Sequence, residues 1–121
     1  MAIKKVLVVD DVPADLMQLQ KIIADAGYLV ITASSGQEAI DKAKAELPDM
    51  IFMDVIMEKI DGFKACREIN QGEGTSTIPV VFVTSKHQKA DRIWAEMQGG
   101  KAMISKPYTP DQILEQIGRF R

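Results

Sequence analysis

Short apolar segments recur along the chain, and longer stretches of mixed polarity separate them. Each segment is too short for a buried helix, and several are rich in β-branched residues, which favours strands over helices. The five predicted strands are VLVV (6–9), YLVIT (28–32), MIFM (50–53), VVFV (80–83) and the weaker AMI (102–104). Unbroken apolar runs of this kind are typical of strands that are buried on both faces of a parallel sheet.

Between the predicted strands, apolar residues repeat three or four positions apart, which predicts amphipathic helices. The stripes consist of Leu16, Leu19, Ile22, Ile23 and Ala26; of Ile40, Ala43 and Leu47; of Ile93 and Met97; and of Ile113, Leu114, Ile117 and Phe120. We expect Trp94 to pack beside the third stripe rather than to anchor a partner. Six methionines are expected to fill gaps in the core, namely Met17, Met50, Met53, Met57, Met97 and Met103.

Helix boundary signals support this division. Ser35, with a glutamate three positions later, fits a capping box, and Thr109 begins a second one with Pro110 in the first helical position. Gly27 and Gly99 stand where the glycine that ends a helix is usually found. A strand that alternates with a helix five times predicts right-handed crossovers between parallel strands, with helices on both faces. The predicted fold class is therefore α/β, with a doubly wound, five-stranded parallel sheet.

Composition and charge narrow the class of protein. With 121 residues, 46% of them apolar and 26% charged, the chain has the composition of one globular domain, which we expect to span residues 1–121. No apolar run could cross a bilayer and the first residues do not form a secretory signal, so we expect a cytoplasmic protein. The net charge of −2 argues against nucleic-acid binding. The single cysteine, Cys66, is expected to be buried on a helix, and His87 to lie on the surface.

Polar residues follow four of the predicted strands. Asp10 and Asp11 follow the first, Asp54 the third, Thr84 and Ser85 the fourth, and Ser105, Lys106 and Pro107 the fifth. Because the carboxyl ends of parallel strands lie along one edge of a sheet, residues far apart in sequence are expected to converge there. Singly, each has an ordinary structural explanation, such as a turn, a helix cap or a solvated lysine. Together, in this order, they indicate a functional site.

The chemistry of these residues suggests a metal and a phosphoryl group. Three carboxylates at one site would repel one another, since two charges at a separation of about 4 Å cost about 4 kcal/mol when the effective dielectric constant is about 20. Oxygen ligands without histidine or cysteine favour a hard cation, and an incomplete ligand set with room for water favours Mg²⁺ over Ca²⁺. Lys106 and Thr84 could then bind the oxygens of a transferred phosphoryl group. Asp54 is the expected nucleophile, which would form an acyl phosphate.

Five motifs, in their order along the chain, resemble the receiver domains of two-component response regulators, the CheY-like family. They are VLVVDD (6–11), MIFMDVIM (50–57), DGF (61–63), VVFVTS (80–85) and KP (106–107). The resemblance implies the sheet order 2-1-3-4-5 and a histidine kinase that donates a phosphoryl group to Asp54. It also implies that Asp10, Asp11, Asp54 and the backbone carbonyl of Ile56 hold Mg²⁺.

The same resemblance implies roles for other residues and surfaces. The Thr84 hydroxyl would follow the phosphoryl group, Lys106 would bind that group as a cation, and the peptide bond between Lys106 and Pro107 would be cis. A protein partner would bind the surface formed by the fourth helix, the fifth strand and the fifth helix. We expect the protein to bind neither nucleic acid nor a membrane, and to be a monomer. We expect no enzymatic activity beyond the domain's own phosphotransfer and dephosphorylation. Ile56 offers no acid or amide to orient water, so we expect slow self-hydrolysis of the acyl phosphate.

The segment TSKHQKADRIWAEMQGGKAMISKPYTPDQI (84–113) more narrowly resembles the single-domain regulators of twitching-motility chemosensory systems, the PilH type. That likeness implies control of type IV pili. Three positions depart from the common receiver pattern: Glu58 replaces a proline, Met103 an aromatic residue, and Ser85 an alanine. Because of Met103, the aromatic rotamer that is usually coupled to the threonine is absent in its usual form.

Two other functions agree with parts of the pattern. A receiver without an output partner would act as a phosphate sink that drains a shared kinase, and Met103 favours this alternative. A flavodoxin-like protein would bind a flavin or a nucleotide phosphate after the first strand, where free backbone N–H groups are needed. Asp10, Asp11 and Pro13 in that turn disfavour phosphate binding unless a metal intervenes.

Overall fold

A computed structural model describes residues 2–85 and 88–120, and the expectation for His87 lies outside these residues. In this part of the chain strands and helices alternate five times. The elements are β1 (Lys5–Val9), α1 (Pro13–Asp25), β2 (Leu29–Ala33), α2 (Gly36–Glu46), β3 (Met50–Met53), α3 (Gly62–Gln71), β4 (Val80–Thr84), α4 (Lys89–Met97), β5 (Ala102–Ser105) and α5 (Pro110–Phe120). The five predicted strands are confirmed, each bound lying within one residue of its predicted position. None of the described helices is long and apolar enough to cross a membrane.

The described strands form one parallel sheet in the order β2-β1-β3-β4-β5, which confirms the predicted fold class and strand order. Val8 of β1 pairs with Thr32 of β2 on one side and with Phe52 of β3 on the other. The chain runs from β1 to the edge strand β2 and then returns past β1 to β3. The strand order therefore reverses between β1 and β3, and doubly wound sheets bind ligands at the carboxyl ends of the strands beside such a reversal.

Side chains of the strands alternate between two hydrophobic clusters, one on each face of the sheet. Leu7 and Val9 belong to the cluster that α2, α3 and α4 cover, whereas Val6 and Val8 belong to the cluster that α1 and α5 cover. Every residue of β3 and β4 is buried. Because helices cover both faces of the sheet, every side chain of an unbroken apolar strand is buried.

One helix, α3, has an apolar stripe that is not among the four predicted from helical spacing. Phe63, Cys66 and Ile69 are buried three positions apart and pack in the same cluster as α2. The burial of Cys66 on a helix is confirmed, and burial raises the pKa of its thiol to about 12.

The predicted core stripe of α4 is wrong. Ile93 and Met97 are 51% and 68% exposed, and Trp94 is 47% exposed. Instead α4 buries Ala95, whose carbonyl accepts a hydrogen bond from the Gly100 N–H at 2.9 Å. The face of α4 that carries Ala95 therefore packs on the sheet, and its largest apolar side chains are exposed.

Three more residues that were expected in the core are exposed. Ala26 and Leu47 come directly after the last residues of α1 and α2, so the helical spacing no longer determines which way they face, and Leu47 has a left-handed backbone with φ of 46°. Met17 is 68% exposed on the outer side of α1. The prediction for the methionines of β3 is confirmed, because both are fully buried.

The helix boundaries follow the predicted capping residues. Ser35 Oγ accepts a hydrogen bond from the Glu38 N–H at 3.1 Å, while the Glu38 carboxylate accepts one from the N–H of the residue before Ser35. The second capping box also forms, since Thr109 Oγ1 accepts a hydrogen bond from the Gln112 N–H and Gln112 Oε1 accepts one from the Thr109 N–H. Gly27 and Gly99 have φ values of 98° and 94°, a left-handed conformation that favours glycine at helix ends.

Candidate functional site

Two carboxylates lie side by side where the strand order reverses. Val9 of β1 pairs with Met53 of β3, so the residues that follow them, Asp10 and Asp54, are neighbours. The Asp54 N–H donates to the Val9 carbonyl at 3.0 Å, and the Asp10 N–H donates to the Ala33 carbonyl at 3.2 Å. The side chains of Asp10 and Asp54 are only 4% and 8% exposed. The hydrogen bonds of the sheet therefore extend through both residues and hold their carboxylates close together.

Lys106 joins these carboxylates from the end of β5. Its backbone N–H donates to the Thr84 carbonyl at 2.9 Å. Its Nζ lies 2.9 Å from Asp10 Oδ2 and 3.1 Å from Asp54 Oδ2. The peptide bond between Lys106 and Pro107 is cis, which confirms that prediction. Side chains from three separate strand ends thus converge, although Lys106 and Asp10 are 96 positions apart in sequence.

A further carboxylate, that of Asp15, binds Lys106 and is not among the predicted site residues. Asp15 lies in the first turn of α1, and its Oδ2 is 2.9 Å from Lys106 Nζ. Its side chain is 39% exposed, which places it at the rim of the site. The sequence signal that could have located it is its position about one helical turn after Asp11, on a helix that begins at the same edge of the sheet.

Burial and charge pairing act in opposite directions on the charged groups. Burial raises the pKa of Asp10, and the hydrogen bonds from the Val12 N–H and Lys106 only partly offset it. Burial opposes the charge of Lys106, but the hydrogen bonds to Asp15, Asp10 and Asp54 outweigh it, and the pKa of Lys106 is raised. Lys106 therefore remains a cation at neutral pH.

Backbone N–H groups hold the second oxygen of each buried carboxylate. Asp10 Oδ1 accepts a hydrogen bond from the Val12 N–H at 3.0 Å, and Asp54 Oδ1 accepts one from the Ile56 N–H at 3.2 Å. Each carboxylate is therefore oriented by one backbone donor and by the lysine.

The DGF motif supports the chain segment that carries Asp54. The Gly62 N–H donates to the Val55 carbonyl at 2.8 Å, and the Asp61 carboxylate caps α3 by accepting the N–H three residues later at 2.9 Å. A Cβ on residue 62 would lie 2.0 Å from the Asp54 carbonyl oxygen, so only glycine fits there. The motif contributes to the site through this close backbone contact.

The other predicted site residues lie at the same edge of the sheet but differ in exposure. Thr84 is fully buried at the end of β4 and pairs in register with Ser105. Asp11 is partly exposed, and the ion pairs of Lys106 within the described ranges are with other carboxylates. The side chain of Ile56 is 52% exposed.

Asp10 and Asp54, two of the three carboxylates expected around a metal, both contact Lys106. Across residues 2–85 and 88–120, no group of three or more His, Cys, Asp or Glu side chains is arranged to hold a metal ion. The roles of Asp10, Asp11, Asp54 and the Ile56 carbonyl as Mg²⁺ ligands therefore stay a prediction. The observed arrangement offers a potential nucleophile, Asp54, beside a cation that can bind an anionic oxygen.

Comparison with known proteins agrees with this geometry. The response regulator receiver domain family matches residues 6–118. Protein PilH of Pseudomonas aeruginosa is 34% identical over 113 residues, which make up 93% of each chain. Several other curated relatives are longer, and this chain spans between 25% and 47% of their length.

Two solved structures are similar to this chain over nearly its whole length. The Vibrio cholerae chemotaxis protein CheY4 has a TM-score of 0.93 and 28% identity, covering 99% of this chain and 100% of that one. The receiver domain of the sensor histidine kinase PA1611 from Pseudomonas aeruginosa has a TM-score of 0.90 and 25% identity, covering 98% of each chain. In the PA1611 structure a magnesium ion is coordinated in the active site cleft.

Proposed function

This chain belongs to the response regulator receiver domains of two-component signalling, and from that membership we propose that it is a phosphorylation switch. A histidine kinase donates a phosphoryl group to Asp54 in the presence of Mg²⁺, and the phosphorylated domain binds a downstream protein better than the unphosphorylated one. The observation that carries this proposal is the contact of 3.1 Å between Asp54 Oδ2 and Lys106 Nζ. It places the expected phosphoryl acceptor beside the expected cation.

The transfer step follows from the chemistry of these residues. An oxygen of Asp54 attacks the phosphorus of a phosphohistidine, a P–O bond forms as the P–N bond breaks, and the imidazole leaves with a proton from solvent. Negative charge on the phosphoryl oxygens is stabilised when Lys106 exchanges a carboxylate partner for one of them. Thr84, buried at the neighbouring strand end, is the proposed hydroxyl partner of a second oxygen.

The donor chemistry of the site fits Mg²⁺. Carboxylate oxygens of Asp10 and Asp54 converge on one point, the Lys106 ammonium, and hard divalent cations prefer such oxygen ligands. Asp10, Asp11, Asp54 and the Ile56 carbonyl would hold the ion, which would supply positive charge against the repulsion between carboxylates and phosphoryl oxygens.

The proposal is tested by incubating the protein with acetyl phosphate or beryllofluoride, with and without Mg²⁺, and measuring its mass and the fluorescence of Trp94. We expect an Mg²⁺-dependent adduct that is lost in Asp54→Asn. Asp25→Asn is the matched control, because Asp25 is exposed at the other end of α1 and pairs with Lys21. An adduct in Asp54→Asn, or none in the unchanged protein, would contradict the proposal.

Self-hydrolysis of the acyl phosphate is expected to be slow. Ile56 is 52% exposed two residues after Asp54, and its side chain carries no acid or amide to orient an attacking water. Ile56→Asn is expected to shorten the lifetime of the phosphorylated form, measured as the decay of its mass after acetyl phosphate is removed. An unchanged protein that already loses the group as fast as the variant would refute this expectation.

The surface formed by α4, β5 and α5 is the proposed binding site for the downstream partner. A groove between α4, β5 and α5 is lined by Arg92, Glu96, Met103 and Gln116 among other residues. The exposed Trp94 and Met97 lie on the other side of α4, where they line grooves beside α3. The groove favours a switch over a phosphate sink, although Met103 replaces the usual aromatic residue.

Pull-downs with and without beryllofluoride separate the switch from the sink. For a switch, we expect a partner whose capture depends on beryllofluoride and is weakened by Arg92→Ala, because Arg92 lines the groove between α4, β5 and α5. Arg67→Ala is the matched control, because Arg67 is an exposed arginine on α3, outside that groove. Capture of no partner in either state, together with normal phosphorylation, would favour the sink.

The pathway is proposed from the similarity to PilH of Pseudomonas aeruginosa. We expect a cytoplasmic monomer that regulates type IV pili in twitching motility and has no enzymatic activity beyond its own phosphotransfer and dephosphorylation. Expression in a strain that lacks PilH tests this role, and it should restore twitching only when Asp54 is intact. Light scattering of the purified protein measures the oligomeric state.

A further inference from the structure

The Lys106 ammonium has used all of its hydrogen-bond donors. A lysine carries three N–H donors, and Nζ contacts Asp10 Oδ2 at 2.9 Å, Asp15 Oδ2 at 2.9 Å and Asp54 Oδ2 at 3.1 Å. The side chain of Lys106 is only 20% exposed, so water can replace few of these contacts. A cation that takes Asp10 Oδ2 or Asp54 Oδ2 as a ligand therefore competes with the ammonium for that oxygen.

Asp15 differs from the other two partners of the lysine. It lies on α1 rather than at a strand end, and its side chain is 39% exposed, against 4% for Asp10 and 8% for Asp54. It is outside the ligand set expected for Mg²⁺. Asp15 can therefore keep its contact with Lys106 while a cation occupies the two buried carboxylates.

We propose that Asp15 is a positioning residue that retains the Lys106 ammonium at the rim of the site when Mg²⁺ binds Asp10 and Asp54. This inference rests on the proposed function, since it concerns the same metal and the same lysine. In the protein with Asp15, one of three ion pairs survives when the metal enters. In Asp15→Asn, the displaced ammonium has no carboxylate left among its present partners, so it competes more strongly with the metal.

The expected effect follows from the strength of a partly exposed ion pair. The pair between Asp15 and Lys106 is already present before the metal enters, so it favours Mg²⁺ only as far as it strengthens when the ammonium loses its other two carboxylates. Because a partly exposed pair is worth up to about 1 kcal/mol, Asp15→Asn should weaken Mg²⁺ binding by up to about fivefold. A simpler explanation would give the same sign, because any carboxylate near the site attracts a cation through space. The two explanations differ in whether the effect requires Lys106.

A double-mutant cycle separates these explanations. Mg²⁺ affinity is measured by isothermal titration calorimetry at constant ionic strength for the unchanged protein, Asp15→Asn, Lys106→Met and the double variant. If Asp15 acts through Lys106, Asp15→Asn weakens binding in the unchanged protein and has no effect in Lys106→Met. If Asp15 acts only through its charge, the weakening is equal in both backgrounds, and the proposal is overturned.

A structural readout accompanies the titration. The nitrogen-attached protons of the Lys106 ammonium, followed by NMR, should stay protected from solvent exchange in the Mg²⁺-saturated protein and lose protection in Asp15→Asn. Asp15→Glu should restore most of the affinity. Asp25→Asn, which removes the same charge from the opposite end of α1, should change neither measurement.

The outcomes distinguish this inference from the proposed function. If the unchanged protein binds no Mg²⁺, both are overturned. If it binds Mg²⁺ and is phosphorylated on Asp54, but Asp15→Asn binds Mg²⁺ as tightly as before or more tightly, only the role of Asp15 is overturned. Urea unfolding of each variant shows whether it is folded under the conditions of the titration.

Discussion

Replacement of Gly62 with alanine should disturb the contact between α3 and the strand end that carries Asp54. Gly62 begins α3, and its N–H donates to the Val55 carbonyl at 2.8 Å. A Cβ at this position would lie 2.0 Å from the Asp54 carbonyl oxygen and 2.8 Å from Val55 Cα. Both neighbours are backbone atoms of buried residues, so no rotamer change can move them away.

The size of the effect follows from this overlap. Contacts of a Cβ below 3.0 Å are essentially absent from proteins, so the start of α3 and the end of β3 must separate by about 1 Å. Overpacking of a buried site costs about 1–3 kcal/mol, and a weakened buried hydrogen bond adds about 1 kcal/mol. For a domain of this size the Tm of Gly62→Ala should fall by about 8–15 °C.

Urea and thermal unfolding, followed by circular dichroism, measure this effect. Gly118→Ala is the matched control, because a Cβ on that residue of α5 meets nothing within 4 Å. Since alanine is the better helix former, Gly118→Ala should stabilise the protein by about 0.5–1 kcal/mol. Because Asp54 is displaced, Gly62→Ala should also react more slowly with acetyl phosphate while still folded. Unfolding of Gly62→Ala at the same urea concentration as the unchanged protein would refute the reasoning, as would equal destabilisation by both substitutions.

Three further predictions concern single polar groups. The Asp49 carboxylate accepts hydrogen bonds from two backbone N–H groups at the start of β1, each at 2.9 Å, and these bonds lower the pKa of Asp49. The stability that this carboxylate contributes is therefore lost as the pH falls through the lowered pKa. Asp49→Asn should therefore lose about 1 kcal/mol at pH 7 and match the unchanged protein near pH 2 in thermal unfolding, and a loss independent of pH would contradict this. Burial raises the pKa of Asp10, so the contribution of this group to stability falls as the pH rises through the raised pKa. Asp10→Asn should have the higher Tm at pH 7, with a gain that shrinks toward about pH 4, and a lower Tm at pH 7 would refute this account. Ser35→Ala removes the hydroxyl that caps α2 and should cost about 1 kcal/mol in urea unfolding, whereas Val12→Ala, at the start of α1 without a side-chain cap, should cost less.

The strands were predictable because their signal is local. A run such as residues 50–53 is apolar throughout, and in a parallel sheet covered on both faces every such side chain is buried. The helices were predicted less well, because a stripe shows that a helix is amphipathic but not which way it faces. The stripe of Ile93 and Met97 is exposed, because α4 packs on the sheet through Ala95 instead.

The candidate site was predictable to the extent that it depends on topology. Once the strands are parallel, Asp10, Asp54 and Lys106 must follow strand ends at one edge of the sheet, and the structure brings these three together. Asp15 could not be assigned in the same way, because it lies on a helix and its contact depends on how α1 packs against that edge.

The sequence by itself determined the alternation of strands and helices, the parallel sheet and the edge at which the polar residues gather, because all of these follow from local apolar patterns and from chain connectivity. Only the tertiary structure decided which carboxylates surround the lysine and which side of α4 meets solvent. Those features depend on distances of a few ångströms and on helix rotation, and the spacing of residues along the chain specifies neither.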